Sequence, residues 1–490
     1  METKPDENAA DEALCQRARR SDWPLRTYVV VGGLLALAVV FASCVLYVVW
    51  FVGGKPSIKI DYVALLNETT RPQEAQGENA WPYYEPALAL LISPNSDVGA
   101  IPAFGHPEYV EHWEFAGLPD DARRLIDQWL EANRVAWEDF VEAGSKPYLA
   151  RSYQATAGAK GPQLINIQLP DLSALRDLSR VGLWRSRRHI AQGRTVEARE
   201  DCLAVARAGR HWQQSGTVIE QLVALALVRV AEEEILRLVA RQSVSAAALA
   251  DVQRQLTALY PQRFPLVNTR SEPLMFLDVV QHTFTDGGPG GGHLIPAAVV
   301  SLLMDDYREQ AGTPFFWTTL SMRHAGRSET VAKAEAIFDH QKELSLLSPY
   351  QRRARQMATI SQMTGALPQD RYPLVRALLP ALDRVMELGY RGRALHEATL
   401  TILALQRYRQ EKGSYPSALD ELQRAGYLDV LPADPYGAGS LSYKVTGSSF
   451  LLYSFGPDFR DDGGASGRTQ EGKSKAWVDK GDTVFWPMNP

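Results

Sequence analysis

Three aspartates crowd the stretch Leu451–Gly464, LLYSFGPDFRDDGG. Asp458, Asp461 and Asp462 follow an apolar run and a Gly-Pro pair. Two chemistries suit such a loop. It can be a solvated acidic turn, which costs little in water. It can also be a cage for a hard cation, which takes about six to eight oxygens from carboxylates, carbonyls and water. Glycines in the same stretch let carbonyls turn inward. Without a cation, carboxylates this close repel one another at the mouth of a strand.

No other local pattern specifies a reaction. Nine histidines are scattered along the chain, none in a His-Glu-x-x-His helix or beside a cysteine pair with metal spacing. There is no Gly-x-Ser-x-Gly elbow. Cys202 lies among alanines, as a small core residue does. Asp286–His293 reads DGGPGGGH, but no Lys-Ser/Thr follows, so a phosphate loop is not supported and a flexible break is expected. Asn67-Glu68-Thr69 fits a glycosylation sequon. Arg180, Arg185, Arg187 and Arg188, and then Arg352, Arg353 and Arg355, read as solvated helix faces. No catalytic residue is assigned, and a non-enzymatic role is preferred.

The elements that must carry the acidic loop begin with a membrane anchor. Thr27–Gly54 is 28 residues without a charge. About 20 apolar residues suffice to cross the hydrocarbon layer. Tyr28, Tyr47 and Trp50 lie toward its ends, where aromatic rings favour the interface. Arg17, Arg19, Arg20 and Arg26 precede it, and Lys55 and Lys59 follow. The basic excess places the N-terminus in the cytoplasm and the bulk outside. Phe41-Ala42-Ser43-Cys44 faintly resembles a lipoprotein cleavage box, but Val45–Val52 continues apolar after the cysteine.

Composition supports a folded exported body. The chain is 45% hydrophobic and 22% charged, which argues against wholesale disorder. Its net charge of −5 gives no general attraction for nucleic acid, so none is expected as a partner. Cys15, Cys44 and Cys202 fall on opposite sides of the membrane and within it, so no disulfide framework is expected.

The middle of the chain has helical periodicity over Asp120–Ala143, Leu172–Gln192, Thr195–Gln214, Val218–Gln242, Ser245–Leu259, Val331–Ser345 and Tyr372–Gly389. Short breaks between long helices predict antiparallel neighbours. Near the C-terminus, Ala394–Gln410 has an apolar stripe and Gly413 is placed as a left-handed cap. A short helix is expected over Ser417–Ala425, with Ser417 as N-cap. Asp434-Pro435-Tyr436-Gly437 is a turn: the aspartate accepts a backbone bond and the proline presets a dihedral. Leu441, Tyr443 and Val445 alternate as a strand, and Ser449–Phe455 returns as a more uniformly apolar one.

This last region resembles the globular domain of type II secretion major pseudopilins. The residues that carry the resemblance are Tyr415-Pro416, Leu431–Gly437, Leu452–Asp458 and the late Gly481–Trp486. The resemblance implies a calcium-binding closing loop, with Asp458 and Asp482 as ligands and Asp461 or Asp462 as a further acid. Met1–Arg26 lacks the family's processing site, so the module looks borrowed rather than polymerising. Asp61–Asn67 with Trp81–Tyr84 is similar to text in large membrane-anchored proteins of planctomycete-type bacteria, which implies no activity.

The expected fold class is mainly α, with a small C-terminal α+β module and one N-terminal transmembrane helix. Residues 1–26 form a cytoplasmic tail, 27–54 the membrane helix and 55–118 a juxtamembrane linker and packing segment. Residues 119–390 form an extracytoplasmic helical body, broken near 286–293, and 391–490 the module. The expected function is a scaffold or binding protein of a bacterial inner membrane, associated with secretion or pilus-like envelope machinery. Its partners are membrane lipid through residues 27–54 and an envelope protein. The alternative is an extracytoplasmic hydrolase with its site in the helical body.

Overall fold

The computed structural model describes residues 25–70, 76–93, 114–155, 163–167, 169–298, 314–469 and 474–488. The expected cytoplasmic tail lies outside the described residues up to position 24. Helix α1 (Leu25–Val52) is apolar on all sides, with a mean hydropathy of 2.8 over its most apolar window, none of which is buried. It is long and apolar enough to cross a membrane. A helix apolar all round and bare of protein cover suits a lipid solvent.

Two short helices follow, α2 (Tyr62–Thr70) and α3 (Trp81–Leu90). The helix expected over Asp120–Ala143 is two helices, α4 (Asp120–Ala132) and α5 (Arg134–Ser145). Buried Asn133 makes the break: its side chain accepts from Ile92 N at 2.8 Å and donates to Ile92 O and Trp129 O. An amide side chain that competes for backbone partners ends a helix that periodicity alone would continue.

The centre of the body is a run of four helices, α6 (Asp171–Ala191), α7 (Thr195–Trp212), α8 (Val218–Arg241) and α9 (Ala246–Leu259), in which α6, α8 and α9 all pack on α7. Their shared core contains Trp184, Leu203, Trp212, Leu227 and Leu256, all buried. Each such side chain contributes about 1.5–3 kcal/mol on burial. Gly209 lets α7 and α8 approach closely, because a Cβ there would lie 3.1 Å from Ala224 O.

An arm follows: α10 (Glu272–Thr283), α11 (Pro314–Arg323), α12 (Arg327–Ser345), α13 (Pro349–Ala354), α14 (Ile360–Gly365) and α15 (Pro373–Leu378). It has its own core around Phe276, Phe338, Leu374 and Met386. The expected break at 286–293 is a hydrogen-bonded loop: Gly287 N donates to Gly291 O and Thr285 N to His293 O.

Helix α16 (Ala381–Lys412) runs unbroken through position 391, where the module was expected to begin. It merges the C-terminal part of the first expected helix with the second. Gly389 lies inside it because residues 266–267 press against it: a Cβ there would lie 3.0 Å from Val267 N. Its expected cap holds, with Gly413 left-handed and its N–H bonded to Arg409 O at 2.8 Å. Helix α17 (Asp420–Arg424) starts later than expected, since Ser417 donates its N–H to Glu421 rather than capping. Strands β1 (Ser442–Thr446), β2 (Ser449–Ser454) and β3 (Thr483–Trp486) form an antiparallel sheet in that order. Strand β2 is central, which accounts for its uniform apolarity. Phe450, Leu452 and Trp486 pack with Ile402 and Leu405 of α16.

The 180–188 cluster is not a solvated face, and of the second cluster Arg352 is half-buried while Arg353 and Arg355 are exposed. Arg187 is buried and paired with buried Glu234, while Arg185 and Arg188 reach Asp201 and Asp127. Arg352 donates to Leu344 O and lies over Tyr390. Their acidic and aromatic partners come from other helices, so nothing in the local charge run signals their burial.

Candidate functional site

The acidic loop leaves β2 through Gly456, whose φ of 76° lets the chain turn. Asp458 accepts from Arg460 N at 3.0 Å and from Gly481 N at 3.4 Å. Asp461 accepts from Gly463 N at 2.9 Å and from the Tyr453 hydroxyl at 2.8 Å. Asp482 is buried at the start of β3 and accepts from Gly464 N at 2.6 Å and Asp462 N at 3.3 Å. Burial pushes its carboxyl up to about 6, helped by Asp461 and Asp462 and opposed by the two backbone amides.

One loop therefore brings together the four predicted acids Asp458, Asp461, Asp462 and Asp482. Oxygens of Asp458, Asp461 and Asp482 accept from N–H and O–H donors of the same loop and of β2. Among the described residues no group of three or more His, Cys, Asp or Glu is arranged to hold a metal ion. As arranged, backbone amides and the Tyr453 hydroxyl close the loop, and Asp458, Asp461, Asp462 and Asp482 are the acids that would hold a cation there.

The sequence marked Asp434 only as a turn residue, and its role is larger. It is buried and accepts from Tyr436 N at 2.9 Å, Ser454 Oγ at 2.6 Å and Phe455 N at 3.0 Å. It thus pins the Asp-Pro turn to the end of β2, immediately before the acidic loop. The arm grips the same place. Arg353 donates to Asp458 O at 3.1 Å and lies over Phe459, Tyr350 N donates to Pro435 O, and Arg391 Nε donates to Tyr436 Oη.

A second candidate site lies on the body. A groove of about 850 Å³ is lined by Asn67, Glu68, Thr70, Trp81, Glu85 and Arg151, with three further residues. Arg151 forms its floor between the rings of Trp81 and Trp212. Its guanidinium donates to Glu220 Oε1 at 2.7 Å and Asp171 Oδ2 at 2.6 Å. Glu220 also accepts from the Tyr153 hydroxyl and closes the capping box of α8 with Thr217. Asn67 is fully engaged, donating to Tyr153 O at 2.9 Å and accepting from Tyr153 N at 2.7 Å. Attaching a glycan at the sequon would break that pair. No spacing rule could have found this groove, because its lining comes from three separate segments, 67–70, 81–85 and 150–154.

The histidines that lie in the described body mostly tie helices together. His396 meets buried Glu232 at 2.5 Å, and His282 meets Asp278 four residues earlier. His211 bonds the Tyr84 hydroxyl at 3.1 Å. Burial lowers His211 to about 4, and burial with Arg194, Arg185 and Arg188 lowers His189 to about 4. Both rings are neutral at physiological pH. Compared with protein families, curated proteins and solved structures, the chain has no match.

Proposed function

We propose that this chain is a single-pass scaffold or binding protein of a bacterial inner membrane, with its N-terminus in the cytoplasm and its bulk outside. It works with secretion or pilus-like envelope machinery and binds a protein partner there. The observation that carries the proposal is α1, an apolar helix whose most apolar window no described residue covers. The excess of arginine before it and the pseudopilin-like order of motifs at the C-terminus support orientation and setting. The experiment is protease treatment of intact spheroplasts: C-terminal fragments should be cut away while an N-terminal tag survives. A C-terminus protected until lysis would overturn the orientation, and recovery of the full chain in the soluble fraction would overturn the anchor. Pull-down from native membranes then identifies the partner.

Calcium at the acidic loop is supported by the resemblance and by the four acids Asp458, Asp461, Asp462 and Asp482 lying around one loop. A second reading, an extracytoplasmic hydrolase, draws on Glu68 and Glu85, two carboxylates lining one groove. A hydrolase would turn over an envelope polymer and lose that activity in both E68Q and E85Q.

A further inference from the structure

We propose that the glycine-rich loop 286–293 is a collar around the emerging end of α1, and that its tip and Ile58 rest in the headgroup layer of the bilayer. The inference depends on α1 crossing that bilayer.

Phe51 is 3% exposed in a helix whose other large side chains are bare. Its ring stacks on His293 at 4.2 Å, and Trp50 meets the same imidazole at 4.9 Å. His293 Nε2 lies 3.0 Å from Phe51 O. A carbonyl only accepts, so Nε2 carries a hydrogen, and Nδ1 lies 3.2 Å from the Thr285 hydroxyl. The chain leaving the helix is then held at successive points. Pro56 pairs with Thr285 in an antiparallel bridge. Gln281 accepts from Lys59 N and Ile60 N and donates to Ile60 O at 2.9 Å. Lys59 pairs with Asp286, which also takes Arg327 at 3.0 Å.

Glycine is needed at both sides of the joint. A Cβ on Gly54 would lie 2.7 Å from Thr285 Cγ2 and 3.0 Å from His293 Nε2. One on Gly292, at φ 132°, would overlap the Thr285 carbonyl.

Length sets the height of the collar. The 27-residue apolar helix is roughly 40 Å long at about 1.5 Å per residue, against about 30 Å of hydrocarbon. Shared between the two ends, the spare length, roughly 10 Å, sets about one turn at each end in the interface, and at the C-terminal end that turn carries Trp50. The collar grips that turn. Ile58 and Ile60 beside it are 54% and 45% exposed, bulky and uncovered by protein. The tip from Gly287 to Gly290 is exposed and uncharged; Asp286 beside it is paired with two cations, and Asp61, one residue past Ile60, is exposed and accepts from Ala64 N. Such a tip meets headgroups without repelling their phosphates. The body therefore stands on the bilayer in one orientation rather than swinging on a tether.

The test uses the full chain with Cys15, Cys44 and Cys202 replaced by serine, reconstituted in phosphatidylcholine liposomes. An environment-sensitive fluorophore is placed on I58C or P289C, with and without lipid carrying a shallow nitroxide. Emission at both positions should fall at least twofold with nitroxide lipid. Unchanged emission in protein that still floats with the liposomes would overturn the headgroup contact. Failure to float would overturn the membrane reading itself, and the collar with it. H293A and G54L should keep flotation and relieve quenching at position 289; quenching that persists in both would overturn the collar.

Discussion

The guanidinium of Arg151 and the carboxylate of Glu220 meet at 2.7 Å across 69 positions of sequence. Glu220 is fully buried and Arg151 nearly so, and the pair joins the segment after α5 to the first turn of α8. Removing one partner of a buried pair leaves the other uncompensated, at a cost of about 3–5 kcal/mol. E220Q should therefore lower the melting temperature of the full chain by many degrees. R151M combined with E220Q should recover part of the loss, because the only charge then left without its partner is the half-exposed carboxylate of Asp171. A double variant as unstable as the sum of the two single ones would show that the pair is not coupled.

Glu272 gives a pH prediction. Burial raises its carboxyl from 4.5 to about 7, and among the described residues no cation pairs with it. The folded state therefore holds the proton more tightly than the unfolded state. The destabilisation is absent below about pH 4.5, grows as pH rises and is complete above about pH 7. E272Q should match the parent near pH 4.5 and melt higher than it at pH 8. The gap is on the order of 1–3 kcal/mol, the upper end following from the size of the shift. Equal melting of the two proteins at pH 8 would contradict this account.

Asp434 holds three donors at the root of the acidic loop. D434A leaves buried N–H and O–H groups unpaired, each costing about 1–3 kcal/mol. The module should loosen first, giving new protease cuts between residues 456 and 482 before the body unfolds. D434N, which keeps two of the acceptor contacts, should fall between D434A and the parent. A digestion pattern unchanged in D434A would count against the pin.

Calcium addition and chelation separate the two chemistries of the acidic loop. A loop closed by its own amides melts at the same temperature with millimolar calcium or with a chelator. A cation bound only by the folded loop would raise melting by several degrees. D482N would then abolish that rise.

Much of the fold was legible in local pattern, because helix periodicity, apolar length and turn chemistry act over a few residues. The uncharged span, the helices from 172 to 259, the Gly413 cap and the Asp-Pro turn all belong here. Each is set by covalent geometry and by which face a short segment must hide. The split at Asn133 was not legible, since the partner that turns its amide is Ile92, in another segment.

The acidic loop itself divides the same way. Residue types alone determined that Asp458, Asp461 and Asp462 crowd one turn, and the motif order drew Asp482 into the set. Only the tertiary structure decided that backbone amides receive most of those oxygens, because amide directions depend on how β3 returns beside β2. The arginine cluster at 180–188 and the loop at 286–293 looked like solvent-facing text for a related reason. Their partners, Glu234 and Phe51, lie far away in sequence, and burial of a charge or a glycine loop is a property of the pair rather than of either residue.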